Sequence, residues 1–196
     1  MRIGIISDTH LPSLIRRPDE LGPQLGELLQ DVDLILHGGD VTAPSVVEWC
    51  EQFAPTLIAR GNNDLFEHPN MQDRHILEIE GLRIGLVHQL RPESRPMAAL
   101  LADGLAGEQV DVLIAGDTHV ERLEFRDEVL FMNPGSPTLP HHKAYRLGTV
   151  GILDVSGAQV RSEIVVLGHS EGAPNPARAL SLVLSRDGRG LREAHD

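Results

Sequence analysis

Apolar residues in this chain come in short runs, each bounded by Gly, Pro, Asn or Asp. The runs are RIGII (2–6), VDLILH (32–37), PTLIAR (55–60), HILEIEGLRIGLVH (75–88), VDVLIA (110–115), RLEFRDEVLFM (122–132), GTVGILDV (148–155) and QVRSEIVVL (159–167). Their length and β-branched content predict strands. The fourth reads as two strands turning at Glu80-Gly81, the sixth as two turning at Arg126-Asp127-Glu128. Between the early strands the apolar positions take helical spacing, over Glu20 to Leu29, Ser45 to Phe53 (with Pro44 at the first helical position) and Pro96 to Leu105. Strand and helix alternate in the front half, and antiparallel hairpins fill the back half. That predicts an α/β protein with more than one sheet surface. From Gly168 the chain turns rich in Gly, Pro, Ser and Arg, and only ARALSLVL has helical spacing. The expectation is a folded domain over 1–167 and a mobile tail over 168–196 carrying one short helix.

The polar residues fall at particular places. Six apolar runs stop at a small or reactive cluster: SDTH (7–10), GGD (38–40), GNND (61–64), His88, GDTH (116–119) and NPGS (133–136). In α/β sheets, ligand sites gather beyond the carboxyl ends of strands. The side chains expected to converge are Asp8, His10, Asp40, Asn62, His88, Asp117 and His119. Carboxylate, imidazole and amide oxygen without thiolate suit hard to borderline divalent cations. Seven donors are too many for one tetrahedral site and suit two ions sharing a carboxylate, about 3.5–4 Å apart. The tripeptide Asp-Thr-His occurs at both 8–10 and 117–119. In an extended segment, residues i and i+2 point the same way, so each pair can face one ion. The flanks of the two copies do not match, which argues for two walls of one site rather than a duplication.

Bulk properties narrow the partners. The 196 residues suffice for one domain with a core, and aromatic residues at 3% leave Leu, Ile, Val and Ala to fill it. A formal net charge of −12 argues against a nucleic-acid backbone as partner. The single Cys50 cannot form an intrachain disulfide, and the start MRIGIISDTH lacks the apolar stretch of a signal peptide. No run approaches the roughly 18 apolar residues of a membrane helix. A cytoplasmic protein is expected.

The ordered series Asp-x-His, Gly-Asp, Gly-Asn-x-Asp, a late His and Gly-x-Thr-His resembles the calcineurin-like metallophosphoesterases. With NPGSP and the chain length, it looks like their small prokaryotic phosphodiesterase branch, which also contains the retromer subunit of this fold. The resemblance spans Met1 to Leu167. It implies a four-layer α-β-β-α sandwich of two mixed sheets flanked by helices. It also implies hydrolysis of a small phosphoester, most naturally a phosphodiester, by in-line attack of a hydroxide bridging two divalent ions. Mn²⁺ is the expected ion, with Fe²⁺, Zn²⁺, Ni²⁺ or Mg²⁺ as alternatives. One ion would take Asp8, His10, Asp40 and His119; the other would share Asp40 and take Asn62, His88 and Asp117. His10 is also a candidate to assist the leaving group. Asn63 stands where relatives carry His or Cys, and Asp64 is expected to orient a ligand histidine.

Two departures stand out: Asp117 replaces the histidine of Gly-His-Thr-His, and Gln89 replaces the glycine that follows the late histidine. An ionised Asp117 would bring the charge of the centre from about +1 to about zero, weakening its pull on a phosphate. The rival reading is a non-catalytic protein-binding scaffold on the same fold, with homo-oligomerisation left open. His37 reads as a buried histidine beside the ligands, and NPGSP as a turn bracing the site. His141 and His142, near Lys143 and Arg146, read as a solvated loop; His68, His75, His169 and His195 read as incidental. Trp49 and Val46 read as core.

Overall fold

The structure, a computed structural model, describes residues 1–12, 16–21, 23–142, 147–157, 159–168, 177–187 and 190–193. Five strands open the chain: β1 (Arg2–Ile6), β2 (Leu34–His37), β3 (Thr56–Ala59), β4 (Met71–Gln72) and β5 (Arg74–Ile79). Then come β6 (Leu82–Val87), β7 (Val112–Ile114), β8 (Arg122–Arg126) and β9 (Val129–Asn133). The chain ends with β10 (Thr149–Ser156), β11 (Gln159–Val166), β12 (Leu180–Asp187) and β13 (Gly190–Glu193). They form an eight-stranded sheet, ordered β13-β12-β11-β10-β1-β2-β3-β4, and a five-stranded sheet, ordered β5-β6-β7-β9-β8. Both are mixed. β1, β2, β3 and β4 run parallel, as do β6, β7 and β9, while sequence neighbours such as β5-β6 and β10-β11, and the long-range pair β1-β10, are antiparallel.

The two hairpin turns fall where expected. Glu80 and Gly81 both take positive φ (48° and 78°), as do Asp127 and Glu128 (50° and 62°), the backbone of a two-residue turn matched to strand twist.

The strands read as unbroken apolar runs because both faces are covered. Ile3, Ile5 and Leu36 of one sheet meet Leu86, Ile114 and Met132 of the other in a core between the sheets. On the outer face of the eight-stranded sheet, Ile6, Ile35 and Ile152 pack under α1 (Pro23–Leu29) and α2 (Pro44–Cys50), with Val46 and Trp49 in that layer. Leu113 and Phe131 pack under α3 (Met97–Leu105) on the other outer face. The result is the expected α-β-β-α order. α1 is shorter than its spacing predicts because Pro23 cannot sit inside a helix; it starts one, after a separate 3-10 turn at Pro18–Leu21. Among the described residues, no helix is long and apolar enough to cross a membrane.

The C-terminal expectation needs correcting. ARALSLVL is not a helix: β12 and β13 extend the eight-stranded sheet beyond β11. Leu180, Leu182 and Leu184 alternate with smaller residues at the period of a strand, and β11 offers an edge to pair. Leu184 and Leu191 are buried in the inter-sheet core. The boundary at 167 therefore does not separate a packed domain from a tail. Of the residues expected to be mobile, 169–176, 188–189 and 194–196 lie outside the described residues.

This packing makes a prediction. Leu184→Ala should destabilise the protein by about 2–5 kcal/mol, as a fully buried leucine does. Urea unfolding measures it; a change below about 0.5 kcal/mol, the range of ordinary surface substitutions, would remove β12 from the core.

Candidate metal centre

The carboxyl ends of β1, β2 and β3 in one sheet, and of β6 and β7 in the other, open onto a common edge. Asp8 and His10 follow β1, Asp40 follows β2, Asn62 follows β3, His88 follows β6, and Asp117 and His119 follow β7. The structure brings these seven side chains together. It does so by a backbone route other than the extended one expected from spacing. Asp8, His10, Asp40, Asp117 and His119 all have positive φ, between 45° and 71°. Alternating left-handed residues curl each loop over its strand end, so the paired side chains still share a face. Cross-loop bonds hold this shape: the Asp8 amide donates to Gly39 O (2.9 Å), and the His10 amide to Asp40 O (3.0 Å).

Two compact donor groups result. One is Asp8, His10 and His119; the other is Asp8, Asp40 and His88. Nε2 of His119 lies 3.5 Å from Asp8 Oδ1 and 3.0 Å from His10 Nε2. Asp40 faces both ways, with Oδ1 3.5 Å from His88 Nε2 and Oδ2 3.4 Å from His10 Nε2. Asn62 Oδ1 is 3.2 Å from His88 Nε2. Asp8, Asp40, His88 and His119 are buried, while Asn62 is exposed and His10 is partly so; the cluster opens to solvent on that side.

The donor chemistry fits a cation. Nδ1 of His119 lies 2.9 Å from Leu139 O, and Nδ1 of His88 lies 2.6 Å from Gly38 O. A carbonyl can only accept, so both Nδ1 atoms carry a proton and both Nε2 atoms turn inward, as a lone pair on His119 and, in the metal-free protein, as an N–H toward Asp40 on His88. Imidazole nitrogens and carboxylate oxygens thus converge, an arrangement suited to a divalent ion.

Burial and mutual charge set the protonation states. Burial pushes Asp8 up to about 7, against the opposing pull of His88 and Ser7. Burial also works against a charge on His88, yet Asp40, Asp8 and the Gly38 carbonyl outweigh it and raise the imidazole to about 9. Asp40 goes the other way: burial would raise it, but His88 and the amides of Asn63 hold it well below the usual carboxylate range. Burial lowers His119 to about 4, His37 to about 3, and His10 as well.

Several supporting residues behave differently from expectation. Asp64 does not orient a histidine; it accepts hydrogen bonds from the backbone amides of Asp40, Thr42 and Gly61 at 2.8–3.0 Å and so clamps the Asp40 loop. Asn63 donates its side-chain amide to Asp40 Oδ2 (2.7 Å) and its backbone amide to Oδ1 (2.9 Å). His142 is exposed and His141 partly so, as expected of a surface loop, but both reach partners beside the site. The His142 ring stacks on His119 with centroids 3.8 Å apart, and His141 Nε2 lies 2.6 Å from the buried carboxylate of Glu121. Lys143, Arg146, His169 and His195 lie outside the described residues. The NPGSP turn braces the site as expected: Ser136 Oγ donates to Asp8 O (2.7 Å) and Thr138 Oγ1 to Thr9 O (2.7 Å). His37 is buried beside the ligands, its Nδ1 accepting the Gly39 amide.

Asp117 is placed beside the cluster and belongs to neither compact group. Its Oδ1 is 3.8 Å from His88 Nε2 and accepts from Gln89 Nε2 at 3.1 Å, while Oδ2 is paired with Arg91. No motif marks Arg91, and only the folded loop makes it part of the site. Next to His88 and Asn62 a groove of about 400 Å³ runs between Arg60, Arg74, Gln89 and Asp103.

Residues 1–158 match the family model for the calcineurin-like phosphoesterase superfamily domain, and the chain belongs to that family. It is 34% identical over 171 residues to a probable metallophosphoesterase of Methanothermobacter thermautotrophicus, covering 86% of this chain and 94% of that one. It is 32% identical over 183 residues to a phosphodiesterase of Methanocaldococcus jannaschii, covering 85% and 99%. Among solved structures, vacuolar protein sorting 29 of Cryptosporidium parvum superposes with a TM-score of 0.75 at 22% identity, covering 94% of this chain and 98% of that one. The zinc complex of the Entamoeba histolytica protein of the same name gives 0.70 at 20%, covering 94% and 99%. At these identities the two structures establish the fold. The family acts through divalent metal ions, and the described donor groups are of the kind that hold them.

The shifted groups predict a pH dependence for the metal-free protein. His88, raised from 6.5 to about 9, stabilises the fold below pH 6.5, and that contribution is lost as pH climbs through 9. Asp8, raised from 3.8 to about 7, acts in the same sense up to pH 7. The lowered histidines oppose this only below 6.5. Thermal melts in chelator should therefore fall between pH 6.5 and about 9. His88→Gln should flatten the slope, and a melting temperature that rises across the window would contradict the assignment.

Proposed function

We propose that this chain is a metal-dependent phosphodiesterase with a dinuclear centre. Asp8, His10 and His119 would hold one divalent ion and His88 and Asn62 the other, with Asp40 placed to serve both. The observation that carries this reading is the two-faced Asp40, with one oxygen toward His10 and the other toward His88. Three oxygen-donor residues and three imidazoles, without thiolate, suit hard to borderline ions, and Mn²⁺ is the ion we expect. Such ions, when bound, would supply Lewis acidity toward the phosphoryl oxygens and an activated water as nucleophile.

The chain's own residues hold and tune that chemistry. Asn63 and Asp64 fix Asp40, the first through its carboxylate and the second through its loop. Leu139 and Gly38 fix the tautomers of His119 and His88. Asn63 has no acidic proton to give a leaving group, so the partly exposed His10 and solvent are left to serve that step. The adjoining groove is lined by no Phe, Tyr or Trp and carries Arg60, Arg74 and Gln89, which suits a small phosphoester without a stacked base. The net charge of −12 speaks against nucleic acid as substrate.

One observation favours the rival scaffold reading: Asp117 is held by Arg91 and Gln89, which thins the ligand set of the second ion. Metal analysis and turnover separate the two. The enzyme reading expects about two Mn²⁺ per chain and hydrolysis of bis(p-nitrophenyl) phosphate, with Asp40→Asn costing about a hundredfold or more in kcat. A chain that holds two ions yet hydrolyses neither phosphodiesters nor phosphomonoesters would favour the scaffold.

A further inference from the structure

A carboxylate at position 117 is out of place beside a centre that must attract an anion. It adds negative charge where an imidazole would add none, next to Asp8 and Asp40. The structure surrounds it in a specific way. The Arg91 guanidinium pairs through Nε with Asp117 Oδ2, and its Nη2 donates to the main-chain oxygen of the same residue at 2.9 Å. Gln89 Nε2 donates to the other carboxylate oxygen at 3.1 Å. Both oxygens are thus engaged by residues 89 and 91, three positions or fewer beyond the ligand His88. The Asp117 side chain is 5% exposed, whereas that of Arg91 is 54% exposed. Nη1 of Arg91 has no partner among the described residues.

We infer that Arg91 is a substrate-anchoring cation that Asp117 positions, so that position 117 serves the substrate here rather than the second ion. The inference rests on the metal-dependent reading above. Paired with a permanent cation, Asp117 no longer lowers the charge of the centre, so the expected neutral centre is corrected back to about +1. Engaged on both oxygens, the carboxylate is withheld from the second ion. The planar guanidinium is held by Asp117 along its Nε–Nη2 edge, which leaves the Nη1–Nη2 edge of a half-exposed side chain to match two oxygens of a phosphoryl group. Gln89, the other departure from the family pattern, has a role in the same device. An amide there holds the free oxygen of Asp117, which a glycine cannot do.

The test separates anchoring from a merely structural ion pair. In substrate-free protein, Mn²⁺ titration of Arg91→Gln should show the weaker site tightening by about tenfold, because the freed carboxylate becomes a ligand. Arg91→Gln/Asp117→Asn should lose that gain. Inorganic phosphate, titrated into the Mn²⁺-loaded protein, should bind Arg91→Gln about tenfold more weakly, and Arg91→Lys should recover only part of the loss. In kinetics the substitution should raise KM more than it lowers kcat. If Arg91→Gln lowers the melting temperature but leaves Mn²⁺ and phosphate affinities within about twofold, the pair is structural and the inference falls. A parent chain that binds no Mn²⁺ overturns this inference along with the proposed function. One that binds Mn²⁺ and phosphate as described, yet hydrolyses nothing, overturns only the function.

Discussion

The donors of the centre are split between two sheets, and no element carries enough of them to hold an ion alone. Asp8, Asp40 and Asn62 follow strands of the eight-stranded sheet, while His88, Asp117 and His119 follow strands of the five-stranded one. Their mutual distances are therefore set by the core between the sheets, where Ile3, Ile5 and Leu36 face Leu86, Ile114 and Met132. Polar ties across the seam refine that packing. His88 donates to Gly38 O, the Asp117 amide donates to the Asp8 carboxylate at 3.0 Å, and Ser136 donates to Asp8 O. Sites of this type tolerate displacements of only about 0.5 Å, so the inter-sheet core is functional as well as structural.

Convergence also demands backbone shapes that ordinary residues avoid. Five of the seven expected donors sit at positive φ, each at a cost of order 1–3 kcal/mol. Such residues persist only where their surroundings leave no alternative. Asp64 supplies one restraint by binding three amides around Asp40, and close backbone contact supplies another. A Cβ on Gly61 would lie 2.1 Å from the Asp40 amide nitrogen, and one on Gly116 would lie 2.0 Å from Ser7 Oγ. The glycines in GNND and GDTH thus serve approach between loops more than their own conformational freedom.

Much of this was legible in the chain because both signals are local. A strand buried on two faces must be an apolar run, and a site at its end must begin with the next polar residue. Asp8, His10, Asp40, His88 and His119 are readable for that reason, and NPGSP as a brace. What escaped depends on distant partners. LSLVL carries helical and strand periods together, and only the free edge of β11 decides between them. Asp64 looked like a histidine partner because the sequence does not reveal that the Asp40 loop would fold over it. The contacts of His141 and His142 escaped because their partners, Glu121 and His119, are reached only after the loop turns back. Arg91 is unmarked because an isolated arginine in a loop is ordinary surface chemistry until a buried carboxylate faces it.

The two halves of the centre differ in chemistry as well as in membership. Around His119 the neighbours are imidazoles, His10 and His142, and burial among them drives its proton off. Around His88 the neighbours are oxygens, from Asp40, Asp8 and Asn62, and they hold its proton on. A cation meeting the first half finds lone pairs ready, whereas one meeting the second must displace a proton before it can bind. Imidazole-rich surroundings suit borderline ions and oxygen-rich surroundings suit hard ones, so the halves are unequal in both affinity and preference. Asp117, held by Arg91 and Gln89, belongs to neither compact donor group, so the half around His88 lacks a further hard donor. In the dinuclear centre we propose, the weaker position would be the one next to Arg91, whose fixed cation would stand in for part of the charge of a tightly held ion.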